Sequence, residues 1–514
     1  QTMSKIGRIF QNFILSNPKR AIWFMSSMPA SFWEKQGRKK ALNIFYEAVK
    51  KVPAYKKFLK SKGVSPEEIR TFEDFQKKVP VMDKKDYILK NPLKDICLEG
   101  SIEKMYTFST SSGSEGKPTI WPRLVEQDKM LPNYWECFFI QNWNIDEKST
   151  LVIITMALGN WIAGMLTADV IKRIALKGKY RLSIATPGTD VKQILNIIKW
   201  VAPHYDQVIM LAYPSLLKSI IEEGEKFEIK WRDLNLKFWL RGEKFSKHMR
   251  KYIIEKVGIK EKLDTFVSVY GTSDAGAIGL GSSLSNLIFK IISENDELHK
   301  KLIEPLPKSF SFVQCNPLSY FVEEIEGEIV ITYYGGVPLI RYNTHDLGKV
   351  IPYERMMAFM KENNIDIVEL LKKEGYKKEK IWRWPFLYVI GKEETVSIFG
   401  AKVSPEDIEA AIYSEKLKDI NSFRLKLESD EEGNTRFYIL LELKKDFFLN
   451  PEELTKLEKK YHDILVKKLL EVNLDFADTY KINPKIADPI VKIYQFNEGP
   501  FAQKLVTKEK YILK

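Results

Sequence analysis

The chain has 514 residues, 44% hydrophobic and 12% aromatic, which marks it as globular and long enough for two or more cores. Its formal net charge of +13 comes from Lys and Arg spread along the whole chain among Asp and Glu. No arginine-rich arm, zinc-finger spacing or aromatic RNA-binding motif accompanies that charge, so nucleic acid is not the expected partner. Cys97, Cys137 and Cys315 lie far apart with no CxxC pair, which argues against a zinc site and fits a reducing cytoplasm. No signal peptide is evident, and no apolar run reaches the ~18 residues of a membrane span.

Residues 1 to 100 read as mostly helical. Residues 6–28 mix Phe, Ile, Leu and Trp with Lys and Arg, a pattern compatible with peripheral membrane contact. Pro18 interrupts it, however, and favours a helix packed on the domain. KKALNIFYEAVKKV has helical spacing, and SPEEIRTFEDFQKK reads as a helix capped by Ser65 ahead of Pro66. From residue 150 short apolar β-branched runs (LVIIT, RLSIA, QVIMLA, LKFWL, TFVSVY) alternate with helical stretches. That alternation predicts a doubly wound, mostly parallel sheet in an α/β core over 101–350, with ligands at the carboxyl ends of the strands. GEIVITYYGG (327–336) reads as a strand of an added antiparallel region, and 354–380 as a Lys- and Glu-rich helical insertion. After residue 390 the pattern restarts as a smaller α+β unit, 391–514, with a hinge near the boundary. The expected organisation is therefore a large domain, 1–390, and a small mobile one. A homodimer is compatible with the chain, and nothing in the sequence decides the oligomeric state.

The densest chemical signal is FSTSSGSEGKPTIWPR. Six of the eight residues from Thr107 to Ser114 carry a hydroxyl. Gly113 and Gly116 then open a tight loop, Lys117 adds a cation, and Pro118 blocks a helix start. Hydroxyls, backbone N–H groups and a cation form a cradle for phosphate oxygens. It is not the phosphate loop of P-loop NTPases, which needs four residues between its glycines and Ser or Thr after its Lys.

The spacing Ser111-Ser112-Gly113-Ser114-Glu115-Gly116-Lys117-Pro118 resembles the TSGTTGKP loop of acyl-adenylate-forming enzymes, which holds the β- and γ-phosphates of ATP. Glu115 departs from that pattern. Four further stretches resemble the same superfamily in the same order. Arg241-Gly242-Glu243 ends a predicted strand where the family has a Gly-Ala-Glu-like element beside adenine. Tyr270-Gly271-Thr272-Ser273-Asp274 resembles YGxTE, in which the aromatic ring stacks on adenine, the hydroxyl touches the α-phosphate and the acid holds Mg²⁺. Asp274 is one methylene shorter than the usual Glu, so direct and water-mediated ligation both stay open. Arg341 to Leu347 (RYNTHDL) resembles RYRTGDL, whose Asp holds the ribose hydroxyls; here that is Asp346. Gly391-Lys392-Glu393-Glu394 with GAKVSPEDIE resembles the element that opens the C-terminal domain, Lys392 standing for Arg and either Glu393 or Glu394 for the hinge acid. The resemblance covers about residues 40 to 514 and leans toward the phenylacetate–CoA ligase-like branch, through VPAYKKFLKSKG and FEDFQKKVPVMDKKDY.

This resemblance implies two half-reactions. A carboxylic acid attacks the α-phosphate of MgATP to give acyl-AMP, and a thiol, most simply coenzyme A, then displaces AMP. Other acceptors, a protein cysteine or an amine, share every motif, as does a nucleotide-binding protein with decayed catalysis. Ser273 and Lys117 are expected to act on the phosphates. The catalytic lysine near the C-terminus is matched by Lys504, with Lys508 and Lys510 as alternatives. Tyr213, Ala275 and Gly276 are expected to line the acid pocket, where the two small residues leave room for more than a very small acid.

Overall fold

The structure is a computed structural model, and it describes residues 13–110, 119–242, 245, 247–303, 310–376, 381–391, 396–398, 401–429, 435–482, 484–502 and 511–513. The chain divides into two compact units. One holds residues 1–244 and 258–391. The other holds 392–514 together with 245–257, so the helix Lys247–Val257 groups with the C-terminal part of the chain.

In the first unit, β1 (Thr107–Thr110) and β2 (Ile120–Arg123) form an antiparallel pair across the hydroxyl-rich loop. The main sheet contains β3 (Thr150–Ile154), β4 (Leu182–Ala185), β5 (Gln207–Ala212), β6 (Leu236–Arg241), β7 (Phe266–Thr272), β8 (Gly276–Leu280), β9 (Ser311–Cys315), β10 (Tyr320–Ile325), β11 (Glu328–Tyr333), β12 (Leu339–Ile351) and β13 (Phe386–Gly391). They form one sheet in the order β10-β11-β12-β13-β9-β8-β7-β6-β5-β3-β4. From β4 to β7 all neighbours are parallel, joined by helices such as Val191–Trp200 and Pro214–Lys226. From β7 to β10 all are antiparallel. The doubly wound part and the antiparallel part expected from sequence are thus continuous, and β7 is the strand where the two meet.

Apolar side chains explain why the layers close. Phe138, Phe139 and Trp143 of the helix Leu131–Trp143 pack with Trp239, Val267 and Val269 of the central strands. Phe45 and Tyr55, on the helices Ala30–Lys51 and Pro53–Ser61, pack with Ile329, Ile331 and Leu339. The helix Pro18–Ser27 is capped by Asn17 and buries Ala21, Ile22 and Met25 on the domain, leaving Trp23 59% exposed. Among the described residues no helix is long and apolar enough to cross a membrane.

One sequence expectation fails. Ser65 makes no capping bond to a backbone N–H, and Pro66–Glu68 is a single 3₁₀ turn. Ser65 Oγ instead donates to Glu67 Oε2 at 2.5 Å. Ile69, 1% exposed, leaves the turn in extended backbone to reach the core. The helix starts later, at Phe72–Lys78, where Thr71 and Asp74 complete a capping box: Asp74 N–H donates to Thr71 Oγ1 at 3.0 Å, and Thr71 N–H donates to Asp74 Oδ2 at 2.9 Å.

The second unit has a hairpin of β14 (Val396–Ile398) and β15 (Ala401–Val403), and a four-stranded sheet. In that sheet β16 (Ile420–Ser429) and β17 (Thr435–Leu443) pair antiparallel. β18 (Ile490–Tyr494) and β19 (Ile512–Leu513) flank them in parallel. Its helices start on strong signals: Ser404 ahead of Pro405–Ser414, and Asn450 with Glu453 ahead of Pro451–Val472. Ile408, Leu425, Ile439 and Leu465 join them in one core.

A pH-dependent contact lies on the long helix. The His462 ring stands 3.1 Å from Asp463 and 3.0 Å from Asp488. Burial alone would lower its pKa, but the two carboxylates outweigh burial and raise it. A raised folded-state value means that the stabilisation is full below the ordinary value of about 6.5 and is lost as pH rises through the folded value. His462→Gln should therefore destabilise the protein more at about pH 5.5 than at about pH 8.5, read by thermal melts. An equal loss at both pH values would contradict an ionic role.

Candidate active site

The parallel strands β5, β6 and β7 lie side by side, with Ala212 opposite Leu240 and Arg241 opposite Val269. Their carboxyl ends bring Tyr213, Arg241–Gly242 and the stretch from Tyr270 to Gly276 to one edge. In open α/β sheets this edge is where ligands bind. The turn from β7 to β8 requires its glycines. A Cβ on Gly271 would stand 2.2 Å from the Gly276 carbonyl oxygen, and Gly276 itself has φ +86°. Thr272 Oγ1 accepts the Ala275 N–H at 3.2 Å, and the Ala275 carbonyl accepts the Tyr320 hydroxyl at 2.7 Å.

Two carboxylates converge here from distant parts of the sequence. The Tyr270 hydroxyl donates to Asp346 Oδ2 at 2.9 Å and lies 3.3 Å from Thr344 Oγ1. Thr344 Oγ1 in turn donates to the Ile329 carbonyl at 2.8 Å. The Tyr342 hydroxyl donates to Asp274 Oδ2 at 2.5 Å, and Ser273 Oγ donates to Asp274 Oδ1 at 3.0 Å. Burial raises the Asp274 carboxyl above its ordinary value, against the opposing pull of these two donors and of Lys84. Burial likewise pushes the Tyr270 phenol up, and the Asp346 charge adds to it. A buried carboxylate held against its own desolvation favours an incoming cation. Among the described residues, no group of three or more His, Cys, Asp or Glu side chains could hold a metal ion.

Tyr213 is 8% exposed and precedes the helix Pro214–Lys226, while Ala275 is fully buried. Arg123 is buried and pairs with Asp128 through Nε at 2.7 Å and Nη2 at 2.5 Å. Tyr106 donates to the same carboxylate at 2.7 Å. Arg241 is also buried, and burial lowers its guanidinium pKa. Sequence reasoning gave no role to Tyr342, Thr344 or Arg241. The signal for Arg241 was present: a charged residue closes the apolar run LKFWL. Tyr342 and Thr344 sit inside RYNTHDL, but only the folded contacts Tyr342–Asp274 and Thr344–Tyr270 show that they reach β7 and the turn after it.

Ser111, Ser112, Gly113, Ser114, Gly116, Lys117, Glu243, Lys392 and Lys504, with Lys508, Lys510, Glu393 and Glu394, lie outside the described residues.

No family model matches the chain. It is 22% identical over 308 residues to a phenylacetate–coenzyme A ligase of Aromatoleum evansii, a match covering 59% of this chain and 63% of that relative. The crystal structure of 2-hydroxyisobutyryl-CoA ligase in the postadenylation state, in complex with R3-HIB-AMP, matches with a TM-score of 0.61 at 15% identity, over 95% of this chain and 90% of that one. An open conformation of the same ligase with 2-HIB-AMP and CoA matches with a TM-score of 0.52 at 14% identity, over 95% and 92%. The chain shares the fold of that CoA ligase.

Within that fold, β12 carries a departure that the geometry explains. The RYRTGDL pattern has glycine where this chain has His345, and His345 has φ +56°, the left-handed region that favours glycine. Local bonds hold it there. Asn343 Oδ1 accepts the His345 N–H at 2.8 Å, and the His345 ring lies 3.2 Å from Asp83 and 3.4 Å from Glu328. Arg341, at φ +46°, serves the scaffold. It pairs with buried Glu323 at 3.2 Å and donates to the carbonyls of Gln76 at 2.7 Å and Val79 at 2.6 Å, tying the N-terminal helices to the sheet.

Proposed function

We propose that this chain is an ATP-dependent acid–thiol ligase that activates a carboxylic acid as acyl-AMP and transfers the acyl group to coenzyme A. The observation that carries the reading is the convergence of Asp274 and Asp346, through Tyr342 and Tyr270, at the carboxyl end of β7. The relatives support it: a phenylacetate–coenzyme A ligase by sequence, and by fold a CoA ligase seen with an acyl-AMP and CoA.

In this reading Asp346 accepts the ribose hydroxyls of ATP, since an ionised carboxylate can take two donors. The Tyr270 hydroxyl sets the orientation of that carboxylate. Gly242 and Glu243 border the adenine, as the Tyr270 ring does from the other side. Ser111, Ser112, Gly113, Ser114, Gly116 and Lys117 hold the β- and γ-phosphates, while Thr272 and Ser273 face the α-phosphate. Mg²⁺ at Asp274 would offset phosphate charge. The acid enters beside Tyr213, Ala275 and Gly276, and its carboxylate oxygen attacks the α-phosphorus as pyrophosphate leaves. Two anions meet in that step, so fixed cations such as Lys504 matter most there. The CoA thiol then attacks the acyl carbonyl and AMP departs. A hinge at Glu393 or Glu394 would let the two units serve the two steps in turn, which keeps water from the adenylate. Three buried free cysteines suit a cytoplasmic setting.

Incubation of the protein with ATP, Mg²⁺, CoA and an acid panel should give AMP and the matching acyl-CoA, read by mass spectrometry. Acyl-AMP that forms but passes to an amine or a protein thiol, and never to CoA, would replace the CoA part of the reading. Release of ADP would contradict the whole of it.

A further inference from the structure

Asp346 reaches the ligand edge on a bulge. Glu328 of β11 pairs with Leu347 of β12, and Val330 with Asn343, so Ile329 alone stands against Thr344, His345 and Asp346. Surplus residues in one strand leave the ladder and re-aim their side chains, and other bonds must then hold the chain in place. Thr344 Oγ1 supplies one such bond by donating to the Ile329 carbonyl at 2.8 Å. His345 is the middle residue of the bulge and has φ +56°, so its conformation sets the direction in which Asp346 leaves.

Two carboxylates from separate elements grip the His345 ring. Nε2 lies 3.2 Å from Asp83 Oδ2, and Nδ1 lies 3.4 Å from Glu328 Oε1. Both partners are themselves fixed. Asp83 follows Met82, whose N–H donates to the Arg341 carbonyl at 3.0 Å and whose carbonyl accepts the Asn343 N–H at 2.8 Å. The Asp83 carboxylate also caps the turn Lys84–Ile88 by accepting the Asp86 N–H at 2.6 Å. Glu328 Oε2 accepts from Asn343 Nδ2 at 2.5 Å, and Asn343 Oδ1 accepts the His345 N–H at 2.8 Å. The charged groups paired with the ring are therefore two acids, one from the turn and one from β11, and Asp346 follows on its own strand. Burial raises the Asp83 carboxyl, but the Asp86 N–H and the His345 ring prevail and hold it below its ordinary value. A neutral imidazole has one N–H, and an ionised carboxylate has none to give. A ring that bonds both acids must carry both protons.

We infer that His345 is a positioning residue for ATP: as an imidazolium bridging Asp83 and Glu328 it locks the bulge that aims Asp346 at the ribose hydroxyls, and ribose recognition weakens when the ring loses a proton. This rests on the assignment of Asp346 to the ribose in the reading above. Loss of the proton leaves a nitrogen lone pair facing a carboxylate, which frees one side of the clamp and leaves the positive φ with less support. Histidine is the side chain whose charge ordinarily changes between about pH 5 and 8.

ATP and 2′,3′-dideoxy-ATP test this, because they carry the same triphosphate. The ratio of their dissociation constants, dideoxy-ATP over ATP, isolates the ribose hydroxyls at any pH. By calorimetry the wild-type ratio should be about 2- to 5-fold larger at about pH 6 than at about pH 8.5, the range for partly exposed ion pairs. His345→Gln should give the lower ratio at both pH values. Asp83→Asn, which keeps a capping oxygen, and Glu328→Gln should each reduce the pH dependence. His345→Gly should also lose the pH dependence, yet keep a ratio above that of His345→Gln, because glycine enters positive φ at no steric cost. A wild-type ratio above one that is the same at both pH values overturns the inference and leaves the ribose assignment standing. A pH dependence that survives in His345→Gln overturns it as well, by placing the titrating group elsewhere. Equal binding of the two nucleotides by the wild-type protein at both pH values overturns the inference together with the ribose assignment beneath it.

Discussion

Lys504→Ala should lower acyl-AMP formation from acid and ATP by two or more orders of magnitude, the scale of losing a group that acts on transition-state charge. Product formation from preformed acyl-AMP and CoA should persist. The asymmetry follows from the charges: the first step joins a carboxylate to a polyphosphate, whereas the second expels AMP from an adenylate already formed. Two assays on one variant separate these steps. Loss of the first activity in Lys508→Ala or Lys510→Ala, with Lys504→Ala normal, would move the role along the tail and keep the chemistry. No effect from any of the three would remove the tail from the adenylation step.

The second large effect is expected at Asp346. Asp346→Ala removes the acceptor assigned to the ribose and leaves the buried Tyr270 hydroxyl without the carboxylate it contacts at 2.9 Å. Each lost charge-assisted bond costs about 1.5–3 kcal/mol, so ATP affinity should fall by at least ten-fold. Tyr270→Phe separates the two contributions. It keeps the carboxylate and removes only its tether, so its ATP affinity should fall less than that of Asp346→Ala. Calorimetric ATP affinity unchanged in Asp346→Ala would make the residue an ordinary loop acid.

Much of the fold could be read from the chain because its strands are apolar and short and its turns obey steric rules. The runs QVIMLA, LKFWL and TFVSVY mark β5, β6 and β7, which end at Ala212, Arg241 and Thr272 along one edge of one sheet. Gly271 and Gly276 stand out in sequence because the β7–β8 turn leaves no room for a Cβ at the first and bends through positive φ at the second. Local signals misled where two of them competed. Ser65-Pro66 resembles a helix start, but the box made by Thr71 and Asp74 satisfies two backbone donors, and the buried Ile69 draws the chain away before a helix can form. The joining of the parallel and antiparallel parts into one sheet depends on β9 and β13 pairing across more than 70 residues of sequence, from Phe386 opposite Gln314 to Val389 opposite Ser311, which no local pattern encodes. The same holds for the site. Asp274 and Asp346 were legible as motif acids, but their tethers, Tyr342 on β12 and Tyr270 on β7, come from elements distant in sequence.

Acid-dependent formation of an adenylate is the central step, and pyrophosphate–ATP exchange measures that step alone, before any thiol is needed. Over a panel of mono- and dicarboxylic acids with Mg²⁺, label should enter ATP only when a suitable acid is present, and exchange should collapse in Asp346→Ala and Lys504→Ala. ATP binding with no exchange for any acid would contradict the account.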